Sequence, residues 1–104
     1  MAKSLYQIQM DYRNAVRQAD SLLEIADELK RTANSGLQDC ISQISGNWTG
    51  TNATVYIDKC NSLQSKILQS ANKLQRTAEV IKKVAKNTYN AEMQARDIMT
   101  VRTY

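Results

Sequence analysis

Apolar residues recur along the first part of the chain with alternating spacings of three and four residues. They form two rows, Leu5, Tyr12, Ala19, Ala26, Ala33 and Cys40 in one, and Ile8, Ala15, Leu22, Leu29 and Gly36 in the other. Such spacings place both rows on one face of an α-helix. The pattern therefore predicts a first helix over about residues 4–45, and Leu37, Ile41 and Ile44 carry its apolar face onward.

A second segment repeats the pattern. Its rows are Cys60, Ile67, Leu74, Ile81, Thr88 and Ala95, and Ile57, Gln64, Ala71, Ala78, Ala85, Glu92 and Met99. This predicts a second helix over about residues 52–99. The polar members lie toward the end of the rows, so we expect looser packing there and a frayed tail over residues 100–104.

A glycine-flanked stretch separates the two predicted helices. Gly46 and Gly50 lie on either side of Asn47-Trp48-Thr49, and glycine adopts the positive φ that a chain reversal after a helix requires. A bend is therefore predicted over about residues 46–51, centred on Trp48-Thr49-Gly50. Thr51 or Asn52 is positioned to cap the second helix.

The two helices complement each other if they fold back antiparallel about this bend. Small residues then meet large ones in five layers, Ala19 with Ile81, Leu22 with Ala78, Ala26 with Leu74, Leu29 with Ala71, and Ala33 with Ile67. Close helix packing favours this alternation. We therefore predict an all-α fold, an antiparallel two-helix hairpin that forms a single domain over residues 1–104.

Further apolar residues lie beside the predicted seam. They are Val16, Leu23, Leu37 and Ile44 on the first helix, and Tyr56, Leu63, Val84 and Ile98 on the second. A lone hairpin does not cover them all. They predict pairing with a second hairpin in a four-helix bundle, either a homodimer or a heterodimer. Scattered surface residues are the alternative.

Composition argues against an enzyme. The 104 residues contain no His, which is the usual general base near neutral pH and the commonest metal ligand. The two Cys therefore have no His partner with which to form a zinc site. We expect no catalytic residue, cofactor or metal site. Neither an apolar run of the ~20 residues that span a membrane nor a signal peptide is visible.

The predicted register also places Cys40 opposite Cys60, as a disulfide or as two reduced thiols.

Charge is unevenly distributed along the chain. Residues 1–47 carry five Lys and Arg against six Asp and Glu, whereas residues 48–104 carry nine against four. Lys59, Lys66 and Lys73 recur at heptad spacing in the second helix. Such a row is either a solvated face or a binding surface. As a binding surface it would indicate an intracellular coiled-coil scaffold or a nucleic-acid-associated protein, which is the alternative to the function that the bend implies below.

The bend carries a family resemblance. Trp48-Thr49-Gly50, followed by Ala53 and Tyr56, resembles the signature of the WXG family, the small helical-hairpin proteins exported by bacterial type VII secretion systems. Tyr56 stands where Phe is usual in that family, and Asn52 where a small residue is usual. The family's export signal is a Tyr followed four positions later by Asp or Glu, but here Tyr89 is followed by Met93, with Glu92 one position early.

The resemblance implies a function in binding. It implies a secreted or cell-surface adaptor that is cytoplasmic before export, leaves without a cleaved signal peptide, and presents the Trp48 bend to the secretion ATPase. The signal at Tyr89 and Glu92 is absent or degenerate, which leaves two alternatives: this chain carries its own export signal, or a partner supplies it, as in heterodimers of the family. That partner is a WXG-like protein or the helical N-terminal segment of an LXG toxin, for which this chain would act as a chaperone.

Overall fold

The computed structural model describes residues 3–102. Helix α1 spans Leu5–Arg31, a π-helical turn (the π-segment) spans Thr32–Leu37, α2 spans Gln38–Asn47, and α3 spans Thr51–Arg102. No strand occurs among the described residues. The predicted all-α class is confirmed.

The helix boundaries differ from the predicted ones in two places. The single first helix predicted over about residues 4–45 is interrupted by the π-segment and ends at Asn47. Helix α3 begins at Thr51 and continues to Arg102, because neither proline nor glycine follows Gly50 to end it. Of the predicted tail, residues 100–102 belong to this helix, and residues 103 and 104 lie outside the described residues.

Helix α1 begins with a reciprocal cap. The backbone N–H of Gln7 donates to Ser4 Oγ at 3.1 Å, and the backbone N–H of Ser4 donates to Gln7 Oε1 at 3.2 Å. This is the capping-box arrangement, which satisfies two backbone donors at once. The cap therefore fixes the point at which α1 begins.

The bend is confined to Trp48–Gly50, between α2 and α3. Trp48 is extended, with φ −137° and ψ 123°, and its N–H donates to the Ile44 carbonyl at 2.9 Å. Gly50 has φ 107°, which favours glycine, and its carbonyl accepts from the N–H and the hydroxyl of Thr54. Gly46 lies inside α2, so of the two predicted turn glycines only Gly50 has a positive φ.

The chain divides into two compact units. The first unit comprises Met1–Leu22 and Arg76–Tyr104. Within it Lys3 pairs with Glu92, Tyr12 packs on Tyr89 with ring centroids 5.1 Å apart, and Asp20 pairs with Lys82. The partner's number falls as the α1 number rises, so the two segments of this unit run antiparallel. Ile8, Ala19 and Ala78 are its fully buried side chains among the described residues.

The second unit comprises Leu23–Gln75. Its cross-contacts include Lys30 Nζ donating to Gln75 Oε1 at 2.8 Å and Gln64 Nε2 donating to the Ala33 carbonyl at 2.7 Å. The buried side chains within the described part of this unit are Ala26, Ala33, Ile41, Ala53 and Ala71. Small side chains therefore dominate its interior.

The residues of the five predicted layers lie inside their units. All ten are buried or half-buried. Asp20 and Lys82, which form an ion pair, are the chain neighbours of Ala19 and Ile81. The alternation of small and large residues thus falls on the inward faces of α1, the π-segment and α3.

The π-segment shifts the inward face by one residue. Up to its second residue, Ala19, Ala26 and Ala33 are buried at intervals of seven, but the next buried residue is Ile41, eight positions on. Gly36 and Cys40, both predicted for the inner rows, are exposed. The prediction is wrong at these two positions because a π-turn accommodates one more residue than an α-turn.

Candidate helix-binding surfaces

Two aromatic side chains of the sequence motif meet beside the bend. The Trp48 and Tyr56 ring centroids are 6.0 Å apart, with an interplanar angle of 52°. They are 47% and 52% exposed, whereas Ala53 between them is 2% exposed. The Gly50 conformation starts α3 directly after the turn, and one helical turn then brings Tyr56 toward Trp48. The arrangement is an exposed aromatic pair above a buried alanine.

The eight residues predicted for a partner interface fall into two groups. Those of the first predicted helix are half-buried, namely Val16, Leu23, Leu37 and Ile44. Those of the second are about half exposed, namely Tyr56, Leu63, Val84 and Ile98. The apolar surface that the units leave open is therefore carried mainly by α3.

An apolar groove runs along the first unit. It has a volume of about 380 Å³ and is lined mainly by Ile8, Ala15, Val80, Ile81, Val84 and Ala85. Val80 and Val84 are 58% and 55% exposed. These two valines stand at its solvent side, where an approaching apolar side chain would contact them.

Val16 is not among the residues that line the apolar groove, whereas Val84 is. Val16 follows Gln9 by seven residues, so the two share one side of α1. Gln9 lines a separate depression with Arg13 and Lys86, whereas Val84 lines the apolar groove with Asp11.

Charged groups close one end of the groove. Lys3 Nζ donates to Asp11 Oδ2 at 2.9 Å and to Glu92 Oε1 at 3.1 Å. These hydrogen bonds, that to Asp11 first, raise the pKa of Lys3 above its ordinary value. The two residues compared above with the family's export signal contact α1 and the segment before it, Glu92 through its ion pair with Lys3 and Tyr89 through its tilted ring contact with Tyr12.

The lysines of the heptad row are exposed on α3 in the second unit. Lys59 and Lys66 line a shallow depression together with Val55, Asp58 and Leu63. Lys73 continues the row seven residues later. Apolar and basic side chains thus alternate along this stretch of α3.

The two cysteines are free thiols. Cys40 is exposed and Cys60 is half-buried. Of the two states predicted for this pair, the structure contains the reduced one. Cys40 departs from its predicted inward position because it follows the π-segment.

Several residues that form the exposed surfaces or their supporting contacts were not predicted from the sequence patterns. Ile25 and Tyr6 are isolated apolar positions, 47% and 70% exposed, and no spacing singles them out. The position of Val80 could have been predicted from spacing, because it follows Lys73 by seven residues and so lies in the same row of α3 as the lysines. Gln64 is a polar member of a predicted inner row, and its side-chain amide donates to the Ala33 carbonyl within the π-segment.

Neither the chemistry nor the comparisons identify a reaction. No group of three or more His, Cys, Asp and Glu side chains in the described part of the chain is arranged to hold a metal ion. None of the helices within residues 3–102 has the length and apolar character that crossing a membrane requires. No protein-family model, curated protein or solved structure matches the chain.

Proposed function

We propose that this protein is an adaptor that works by binding another helical protein, in the manner of the WXG-like proteins of type VII secretion. In this proposal the chain folds back as one antiparallel hairpin and pairs with a second hairpin in a four-helix bundle. The single observation that carries it is the exposure of Val80 and Val84 beside the apolar groove. Exposed groups of large apolar side chains generally mark association sites.

The bend supports the secretion part of the proposal. Trp48 and Tyr56 form an exposed aromatic pair, and a large aromatic side chain of this kind suits insertion into a partner's pocket. Together with Gly50 they carry the resemblance to the WXG signature. In the proposed function this pair contacts the secretion machinery, including its ATPase.

The export signal is proposed to come from the partner. Tyr89 and Glu92 depart from the family spacing, and both are occupied by contacts with Tyr12 and Lys3. A co-secreted partner, either a WXG-like hairpin or the N-terminal helical segment of an LXG toxin, would supply the signal. The chain would then accompany that partner to the cell surface or beyond.

The association is tested by introducing one charge at the groove. Val84→Asp should weaken self-association or partner binding by at least about tenfold, because the carboxylate must be desolvated in an apolar interface. Asn72→Asp adds the same charge at an exposed position that lines neither the apolar groove nor the two depressions, and it should have no effect. Sedimentation velocity measures association, and circular dichroism verifies folding. Unchanged association of a folded Val84→Asp protein would contradict the proposal.

The role of the bend is tested separately, by secretion. Trp48→Ala should keep helicity and association, since the side chain is 47% exposed, but should reduce export from a strain with an active type VII system. Tyr6→Ala, which removes an aromatic side chain that is 70% exposed elsewhere, is the matched control. Normal export of a folded Trp48→Ala protein would rule out a role for this residue in secretion.

A second candidate function rests on the exposed lysines of α3. An intracellular scaffold or nucleic-acid-associated protein would use Lys59, Lys66 and Lys73, which are all exposed. Binding to phosphates weakens steeply with added salt, whereas burial of apolar side chains does not. The salt dependence of partner binding therefore separates the two functions.

A further inference from the structure

The stretch of α3 around Leu63 combines an apolar row with a basic row. Tyr56 and Leu63 are seven residues apart and are 52% and 49% exposed. Lys59 precedes Leu63 by four residues and Lys66 follows it by three, so both lie on the same side of the helix as Leu63. Leu63 is therefore an exposed apolar side chain bracketed by two ammonium groups.

These lysines are available for a partner. The ion pairs found among the described residues are Lys3 with Asp11 and Glu92, and Lys82 with Asp20. None of them uses Lys59, Lys66 or Lys73. Asp58 is the acidic residue that shares the depression with Lys59 and Lys66, so positive charge is in excess there.

We propose that this surface, which we define as Tyr56, Lys59, Leu63, Lys66 and Lys73, binds an amphipathic helix whose apolar row is bordered by Asp or Glu. The inference rests on the proposed function, since it names the chemistry of the helical partner. In paired helices, apolar side chains interlock along the seam while charged side chains beside it select the partner. An acidic border complements the lysine excess.

A helix suits the surface better than an anionic membrane does. Both Tyr56–Leu63 and Lys59–Lys66–Lys73 repeat every seven residues. A seven-residue repeat keeps a row facing a partner helix that coils around it. A membrane surface is flat and continuous, and it selects an apolar face without selecting this spacing.

The test uses designed peptides as probes. One labelled helical peptide of about four heptads carries Leu at the seam and Glu at the flanking positions, and two matched peptides carry Gln or Lys in place of Glu. Binding to the full-length protein is measured by fluorescence anisotropy. The variant is Lys59→Glu/Lys66→Glu, and the control is Lys83→Glu/Lys86→Glu, an identical charge change at other exposed positions of α3.

The expected result has two parts. The Glu peptide should bind the native protein more tightly than the Gln peptide, and the double variant at positions 59 and 66 should lose at least about tenfold in affinity for it. The same variant should gain affinity for the Lys peptide, and the control variant should do neither. Restored binding by exchange of charges is a result that mere loss of folding does not produce.

Other outcomes overturn the inference in distinguishable ways. Equal binding of the Glu and Gln peptides would keep helix association, and with it the proposed function, while removing the acidic preference. Failure of every peptide, with Val84→Asp also without effect on association, would remove both. Equal losses in the variant and its control would mean that only net charge matters. Binding to phosphatidylglycerol vesicles but to no peptide would assign the surface to a membrane, and a change only in self-association would assign it to a second copy.

Discussion

Gly46 and Gly50 lie four residues apart but differ in the backbone conformation that they adopt. Gly50 has φ 107°, a value that residues other than glycine rarely adopt. Gly46 is helical, and a Cβ added there would meet no atom within 4 Å. Gly50→Ala should therefore lower the free energy of unfolding by about 1–3 kcal/mol. Gly46→Ala should raise it by about 0.5–1 kcal/mol. Urea unfolding measures both changes.

The sign of each change matters more than its size. A Gly50→Ala protein as stable as the native one would mean that the bend adopts another conformation in solution. Loss of stability in Gly46→Ala would mean that α2 ends before this residue.

At the residue scale, the sequence predicts well where a single side chain or φ angle decides the structure. The turn at Gly50 and the burial of Ala19, Ala26 and Ala71 follow from glycine conformation and from the inner rows. The contact between Trp48 and Tyr56 was not predicted, because it depends on the extended conformation of Trp48. Likewise, Val16 and Val84 are the same residue type, so residue type does not explain why Val16 is half-buried and Val84 exposed.

Among the elements, the π-segment decides which side chains face inward between Ala33 and the bend. It holds one residue more than a regular helix would, so removing one residue should convert it to α-helix and leave Leu37 and Ile41 facing inward. Deletion of Ser35 should therefore change the unfolding free energy by no more than about 1 kcal/mol. Thermal and urea unfolding measure the effect.

Deletion of Ser21 is the matched control. Ser21 is also exposed, but it lies in regular α-helix, so its removal rotates one part of α1 relative to the other and moves buried side chains off the inward face. A loss of several kcal/mol is expected, about that of large-to-small changes in a core. If both deletions are equally harmful, the π-segment does not accommodate an extra residue in the way described.

The element scale also shows where pattern analysis stops. Heptad spacing predicts the existence and approximate ends of the helices, because the apolar period is strong in both predicted helices. It does not predict an inserted residue, since a shift from seven to eight between Ala33 and Ile41 looks like noise within a single row. Once that shift is known, the exposure of Cys40 follows directly.

At the scale of the whole molecule, the proposed pairing of hairpins makes stability depend on concentration. Burial of the exposed α3 residues in a complex would stabilise the folded chain by mass action. The midpoint of thermal unfolding should therefore rise with protein concentration for the native protein, or on addition of the partner, and should stay constant for Val84→Asp. Scanning calorimetry at several concentrations measures this. A native midpoint that is unaffected by concentration and partner would argue against pairing.

The predominance of alanine among the most buried side chains has a consequence for how this sequence can vary. Among the residues that the structure describes, six of the eight buried apolar residues are alanines, whereas Trp48, Tyr56 and Val84 are about half exposed. In a scan of all single substitutions, the least tolerant positions should therefore be Ala19, Ala26, Ala33, Ala53, Ala71 and Ala78, where any larger side chain forces the helices apart. The small buried residues would then tolerate substitution less well than the large exposed ones. Over evolutionary time the alanines would be kept, whereas the large apolar residues would be exchanged for one another.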